Sequence, residues 1–141
     1  MRKMTVIAVA LAGQLLAGGF FLQLGNPEAS AEARQLNAVL TVKATGCHDP
    51  AAAKLTATAI GVVNGQRREI PLKVEALSEP GMFAIAQQWP KEGKWVIDLV
   101  GRNPDQFTNA LVIAAPDGVQ RTGAKYNQHE FTAADIDAML K

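Results

Sequence analysis

Residues 54–63, K-L-T-A-T-A-I-G-V-V, run into Asn64-Gly65 and out again as Q-R-R-E-I-P-L-K-V-E-A-L over residues 66–77. The first arm is rich in the β-branched residues that suit a pleated surface. Asn-Gly between two such arms is a strong hairpin signal, because both central residues of a type I′ turn need positive φ. In the returning arm Ile70, Leu72, Val74 and Ala76 alternate with Pro71, Lys73 and Glu75, the period of a half-buried strand. Pro71 has no N–H to give to a ladder, which predicts an edge strand or an outward-facing Pro71 nitrogen.

The same grammar extends in both directions. Upstream, residues 36–44 (L-N-A-V-L-T-V-K-A) place Leu36, Ala38, Leu40 and Val42 on one face and stop at Thr45-Gly46. Asp49-Pro50 then reads as a helix cap followed by proline at the first helical position, so a turn or two of helix is expected. Downstream, Glu79-Pro80-Gly81 turns into a strand over residues 82–89, and residues 90–93 turn into another over 94–102. In that arm Trp95, Ile97 and Leu99 share a face, with Trp95 the expected centre of the core. Residues 103–106 read as a loop, 108–115 as a strand, 116–118 as a turn and 119–125 as a last short strand.

The chain then changes period. Thr132 can cap a helix, Asp135 sits where a capping box needs it, and Phe131 and Ile136 are spaced as a hydrophobic staple. Ile136, Met139 and Leu140 form one apolar face, which should dock because so short a helix is unstable alone. Together these features predict an all-β, Ig-like antiparallel β-sandwich of six or seven strands with a short C-terminal helix over about residues 131–140.

Residues 80–84 (P-G-M-F-A) and 89–99 (W-P-K-E-G-K-W-V-I-D-L) resemble the hairpin of small exported Ig-like domains of the YtkA-like and FixH-like kind. The resemblance covers about 20 of 141 residues. It implies a β-sandwich of the cell envelope, and some members of that kind are linked to copper handling or to the assembly of copper enzymes. A carboxypeptidase-regulatory-like or other Ig-like accessory domain fits the same residues nearly as well.

The N-terminus reads as an export signal. Arg2 and Lys3 precede an uncharged stretch from Met4 to Gly25, and Ala29-Ser30-Ala31 supplies small residues for a signal peptidase. Residues 1–31 are therefore expected to be a signal peptide cut after Ala31, and residues 32–141 the domain. The rival is an uncleaved membrane anchor, since the uncharged run approaches the ~20 residues that span a bilayer. A periplasmic or secreted location follows in the first case. The chain has 14 basic and 13 acidic side chains, and removing Arg2, Lys3 and Glu28 balances them. No net basic field is left to draw nucleic acid or anionic lipid.

Gly46-Cys47-His48-Asp49 is the most chemically suggestive stretch. A thiolate and an imidazole together suit Cu(I) or Zn(II), so Cys47 and His48 are candidate metal ligands, with Asp49, Met82 or His129 able to join them. On a regular strand the two side chains would face opposite ways, so convergence requires a loop, which Gly46 and Pro50 favour. Other roles stay open: Cys47 as a small apolar side chain with His48 in solvent, or as one end of an intermolecular disulfide. A hydrolase using Cys47 with His48 or His129 as base would further need an orienting group and an oxyanion site.

Arg67 and Arg68, adjacent on a strand, point to opposite faces and read as charges that discourage edge-to-edge pairing. No phosphate-cradling glycine loop, nucleophile elbow or calcium loop is present. The sequence thus points to a non-enzymatic accessory domain that binds a protein partner in the cell envelope. It would use a sheet edge or the groove beside the C-terminal helix, with no cofactor required.

Overall fold

The computed structural model describes residues 19–141. Residues 1–18, which carry the positive start and most of the apolar run of the expected signal, lie outside the described residues. The described chain runs β1 (Phe21–Gly25), α1 (Ala31–Gln35), β2 (Ala38–Thr45), β3 (Lys54–Val63), β4 (Gln66–Leu72), β5 (Glu75–Ala76), β6 (Met82–Ala86), β7 (Trp95–Asn103), β8 (Gln106–Ala115), β9 (Gly118–Asn127) and α2 (Ala133–Leu140). The strands form two antiparallel sheets, β1-β2-β6-β5 and β4-β3-β7-β8-β9, that close on one core as a β-sandwich.

The deciding hairpin forms at Asn64-Gly65, where both residues have positive φ, 52° and 75°. Pro71 sits on β4, an edge strand, opposite Thr58. The returning arm does not stay in one sheet. It leaves β3 after Leu72, and Glu75–Ala76 pairs with β6 across the sandwich. Gln88 secures the crossing: its Oε1 accepts the Lys73 N–H at 2.7 Å and its Nε2 donates to the Lys73 carbonyl at 3.0 Å. The alternation survives the switch because Ile70, Leu72 and Val74 all face the core between the sheets.

Size complementarity organises the five-stranded sheet. On central β7, inward-facing Trp95, Ile97 and Leu99 stand opposite Gly61, Ala59 and Ala57 of β3 and opposite Ala114, Val112 and Ala110 of β8. Large side chains flanked by small ones can fill the gap to the facing sheet without clashing along their own. The fit is tight at Gly61, where a Cβ would come within 2.6 Å of the Trp95 ring. The indole N–H of Trp95 donates to the Glu92 carbonyl at 3.2 Å, so the buried ring leaves no donor unmet. The facing sheet contributes Leu22, Leu40, Val42, Ala44 and Ile85.

The outer face of the five-stranded sheet carries a second apolar cluster, Ile60, Val96 and Leu111, covered by Ile136 and Met139 of α2. The capping box forms as expected. Thr132 Oγ1 accepts from the Asp135 N–H, and the Asp135 carboxylate accepts from the Thr132 N–H. These bonds hold the Asp135 carboxyl below its usual range.

Several boundaries differ from expectation. The loop expected over residues 103–106 shortens to a two-residue turn at Pro104-Asp105, the tight end of the β7–β8 hairpin, with Asn103 paired to Gln106. The strand expected over 82–89 stops at Ala86, and Leu36 belongs to the end of α1, outside β2. The largest difference lies at the N-terminal side. Phe21–Gly25 pairs with β2 in five register positions, and Phe20 and Leu22 are buried in the main core. Then α1, capped by the Ser30 hydroxyl, covers β2 with Ala33 fully buried. The cut expected after Ala31 falls inside this helix.

Candidate functional surface

The Gly46–Asp49 loop closes one end of the sandwich, after β2. Gly46 turns it with φ 74°, and the Gly19 carbonyl lies where a Gly46 Cβ would sit. Asp49 caps the turn that follows, its Oδ1 accepting the Ala51 N–H, and its carbonyl accepts from the nearly buried Asn103 Nδ2 at 2.7 Å. The loop is therefore pinned at its far side. Within it Cys47 is a half-buried free thiol packed against the main core, while His48 and Asp49 are exposed. Met82 lies in β6 opposite Lys43, and His129 is exposed between β9 and α2. Among the described residues no group of three or more His, Cys, Asp or Glu is gathered closely enough to hold a metal ion.

A carboxylate with a raised pKa lies elsewhere. Asp98, on the outward face of β7, is half-buried, and burial raises its pKa against the opposing effect of a hydrogen bond from Asn109. Glu130 and Glu69 add a smaller upward push. Asn109 is 1% exposed and fully engaged. Its Nδ2 donates to Asp98 Oδ1 at 2.6 Å and to the Leu99 carbonyl at 2.9 Å, and its Oδ1 accepts the Phe131 N–H at 2.9 Å. This buried amide clasps the chain just before α2 onto the sheet. Sequence reading passed over it because Asn109 shares its parity with the apolar Leu111 and Ile113, and nothing local marks a polar partner on the neighbouring strand.

Arg67 and Arg68 divide as their parity requires. Arg67 pairs with Asp137 of α2 and with Glu69, so it helps fix the helix as well as charging an edge. Because α2 spends Ile136 and Met139 on the sheet, its apolar face is already occupied. A groove of about 270 Å³ opens on the other sheet, between Leu36 and the Ala84, Ala86 and Gln88 side of β6.

A second open feature is the edge strand β9. Leu111 pairs with Lys125 and Ile113 with Gln120, so the intervening residues Arg121, Thr122, Gly123 and Ala124 bulge out opposite Val112. The bulge lines a broad hollow with Val119 and Gln120 and is exposed apart from Ala124. The strand carries Arg121 and Lys125 and no acidic residue, and Tyr126 stands half out of the surface at its end. The sequence signal was present in Gly123, which interrupts an otherwise strand-like run.

Comparison with protein-family models, with curated proteins and with solved structures finds no match. Among the described residues no helix is long and apolar enough to cross a membrane.

Proposed function

We propose that this chain is an exported, non-enzymatic accessory domain of the cell envelope that works by binding a protein partner through the β9 edge. The observation that carries the reading is the β9 bulge: a ten-residue edge strand whose middle residues stand out of the ladder beside two cations, Arg121 and Lys125. Bulges at sheet edges re-aim side chains and end pairing locally, and β9 is the last strand of its sheet, with no further strand on its outer side among the described residues. An extended peptide can add to such an edge by main-chain hydrogen bonds, with charge setting which peptide is accepted. Arg121 and Lys125 favour an acidic one.

A bulge with cations is also the device by which sheets avoid pairing with copies of themselves. The two roles are compatible, because repelling another basic edge and accepting an acidic strand use the same charges. The test is a photo-crosslinking residue at Thr122 in the full chain, expressed in its own cells, with one at Ala138 on the exposed side of α2 as comparison. A discrete protein adduct from Thr122, lost in Arg121→Glu/Lys125→Glu, is expected. Adducts from Ala138 alone, or from neither site, would overturn the reading.

A further inference from the structure

We infer that the export signal is removed between Gly19 and Phe20, so that the mature protein keeps residues 20–31 as part of its sandwich. The inference rests on the exported reading above and concerns where the signal ends. Its first support is packing. Phe20 and Leu22 are 3% and 1% exposed in the main core, where both reach the space over Gly101. A Cβ on Gly101 would come within 2.9 Å of Leu22, 3.0 Å of Thr108 and 3.1 Å of Phe20, so β7 leaves at that point a place that Leu22 and Phe20 fill together with Thr108.

The second support is continuity of the segment with the fold. Leu22 pairs with Ala44 and Leu24 with Val42, giving β2 a partner on its outer side. Asn26 Oδ1 accepts the Glu28 N–H, the Glu28 carbonyl accepts from Arg34, and the Ser30 hydroxyl accepts the Ala33 N–H. A cut after Ala31 removes the edge strand, two core side chains and the cap of α1, and leaves only Thr108 of the three side chains packed over Gly101. Glu32, held to Ser78 by its carboxylate, would become the first residue of a helix with no start.

The third support is the sequence itself. Ala17-Gly18-Gly19 gives small residues at the first and third places before the cut, and residues 4–16 form an uncharged run of 13. That length falls within the ~7–15 residues of a signal's apolar region, whereas a run continued to Gly25 exceeds it. Ala10-Leu11-Ala12 has the same small-residue spacing, but the run before it is shorter than that range.

The test is the N-terminal sequence and intact mass of the full chain exported by a Gram-negative host, for the parent and for Ala17→Leu and Ala29→Leu. Ala29 is exposed, so its replacement does not disturb the core. A parent chain beginning at Phe20, blocked in Ala17→Leu and unchanged in Ala29→Leu, is expected. A chain beginning at Glu32 and sensitive to Ala29→Leu overturns the inference while leaving export intact. A soluble, unprocessed chain beginning at Met1 overturns both.

Discussion

Asn109→Asp replaces one amide nitrogen by oxygen at the buried clasp and changes almost nothing in shape. The remaining oxygen still accepts the Phe131 N–H. The new one, however, faces Asp98 Oδ1 at 2.6 Å and the Leu99 carbonyl at 2.9 Å with no hydrogen to offer. If the introduced carboxyl stays ionised, the protein loses a bond to a charged group, about 1.5–3 kcal/mol net, and a neutral one, about 0.5–1.5 kcal/mol. Carboxylate repulsion adds to that. If it instead takes up a proton to keep one bond, holding that proton at pH 7 against an unfolded pKa near 3.9 costs about 4 kcal/mol, at about 1.4 kcal/mol per pH unit. The two routes agree on a loss of about 3–4 kcal/mol at neutral pH.

The sign with pH follows from the second route. A carboxyl whose folded pKa lies above its unfolded one penalises the fold progressively as pH rises from the unfolded value through the folded one. The deficit of Asn109→Asp against the parent should therefore shrink as pH falls toward about 4.5, near the unfolded pKa of about 3.9. Urea unfolding of both proteins at about pH 7.5 and about pH 4.5, with the slopes compared as well as the midpoints, reads this directly. The double variant Asp98→Asn/Asn109→Asp restores a donor opposite the new carboxylate and should recover part of the loss. A neutral-pH deficit below about 1 kcal/mol, or one that grows on acidification, would refute the clasp as described.

Three further outcomes are expected. Gly61→Ala drives a methyl into the Trp95 ring and should destabilise by about 1–3 kcal/mol in thermal or urea unfolding; the gain of about 0.4–1 kcal/mol typical of a tolerated Gly→Ala change would show that the indole gives way freely. Ile136→Ala opens the α2–sheet contact and should cost about 2–4 kcal/mol, with an effect near zero meaning that α2 does not dock in solution. For Cys47, metal content by mass spectrometry separates the readings: copper or zinc ligation expects metal in the parent and none in Cys47→Ser at equal stability, whereas the binding-module reading expects the same content in both.

The sandwich was legible because its strongest signals are local. Asn64-Gly65 dictates a hairpin through backbone sterics alone, and the alternation around Trp95 fixes which face of β7 is inward. Thr132 and Asp135 announce α2 through the geometry of a capping box. What escaped are events that need two distant segments. Nothing within residues 66–77 shows that the strand changes sheets, since both halves aim their apolar side chains at the same core. Nothing near Asn109 in sequence shows that Asp98 and Phe131 will meet it. Arg67 was legible as an edge charge, but its pairing with Asp137, 70 residues on, was not.

The N-terminal strand was missed for a different physical reason. A signal's apolar region and a buried edge strand are both short runs of uncharged, mostly apolar residues, so when one follows the other the composition shows no seam. The distinction lies in period. Residues 4–16 are apolar nearly without interruption, as a segment that crosses or enters a bilayer requires. From Phe20 on, a different order sets in: Leu22 is buried between exposed Phe21 and Gln23, the alternation of a strand with one face on a core. Gly18 and Gly19 stand at the change. Gly19, whose carbonyl lies against Gly46, stands just before β1, so on the cut inferred above the end of the signal and the beginning of the fold are one position.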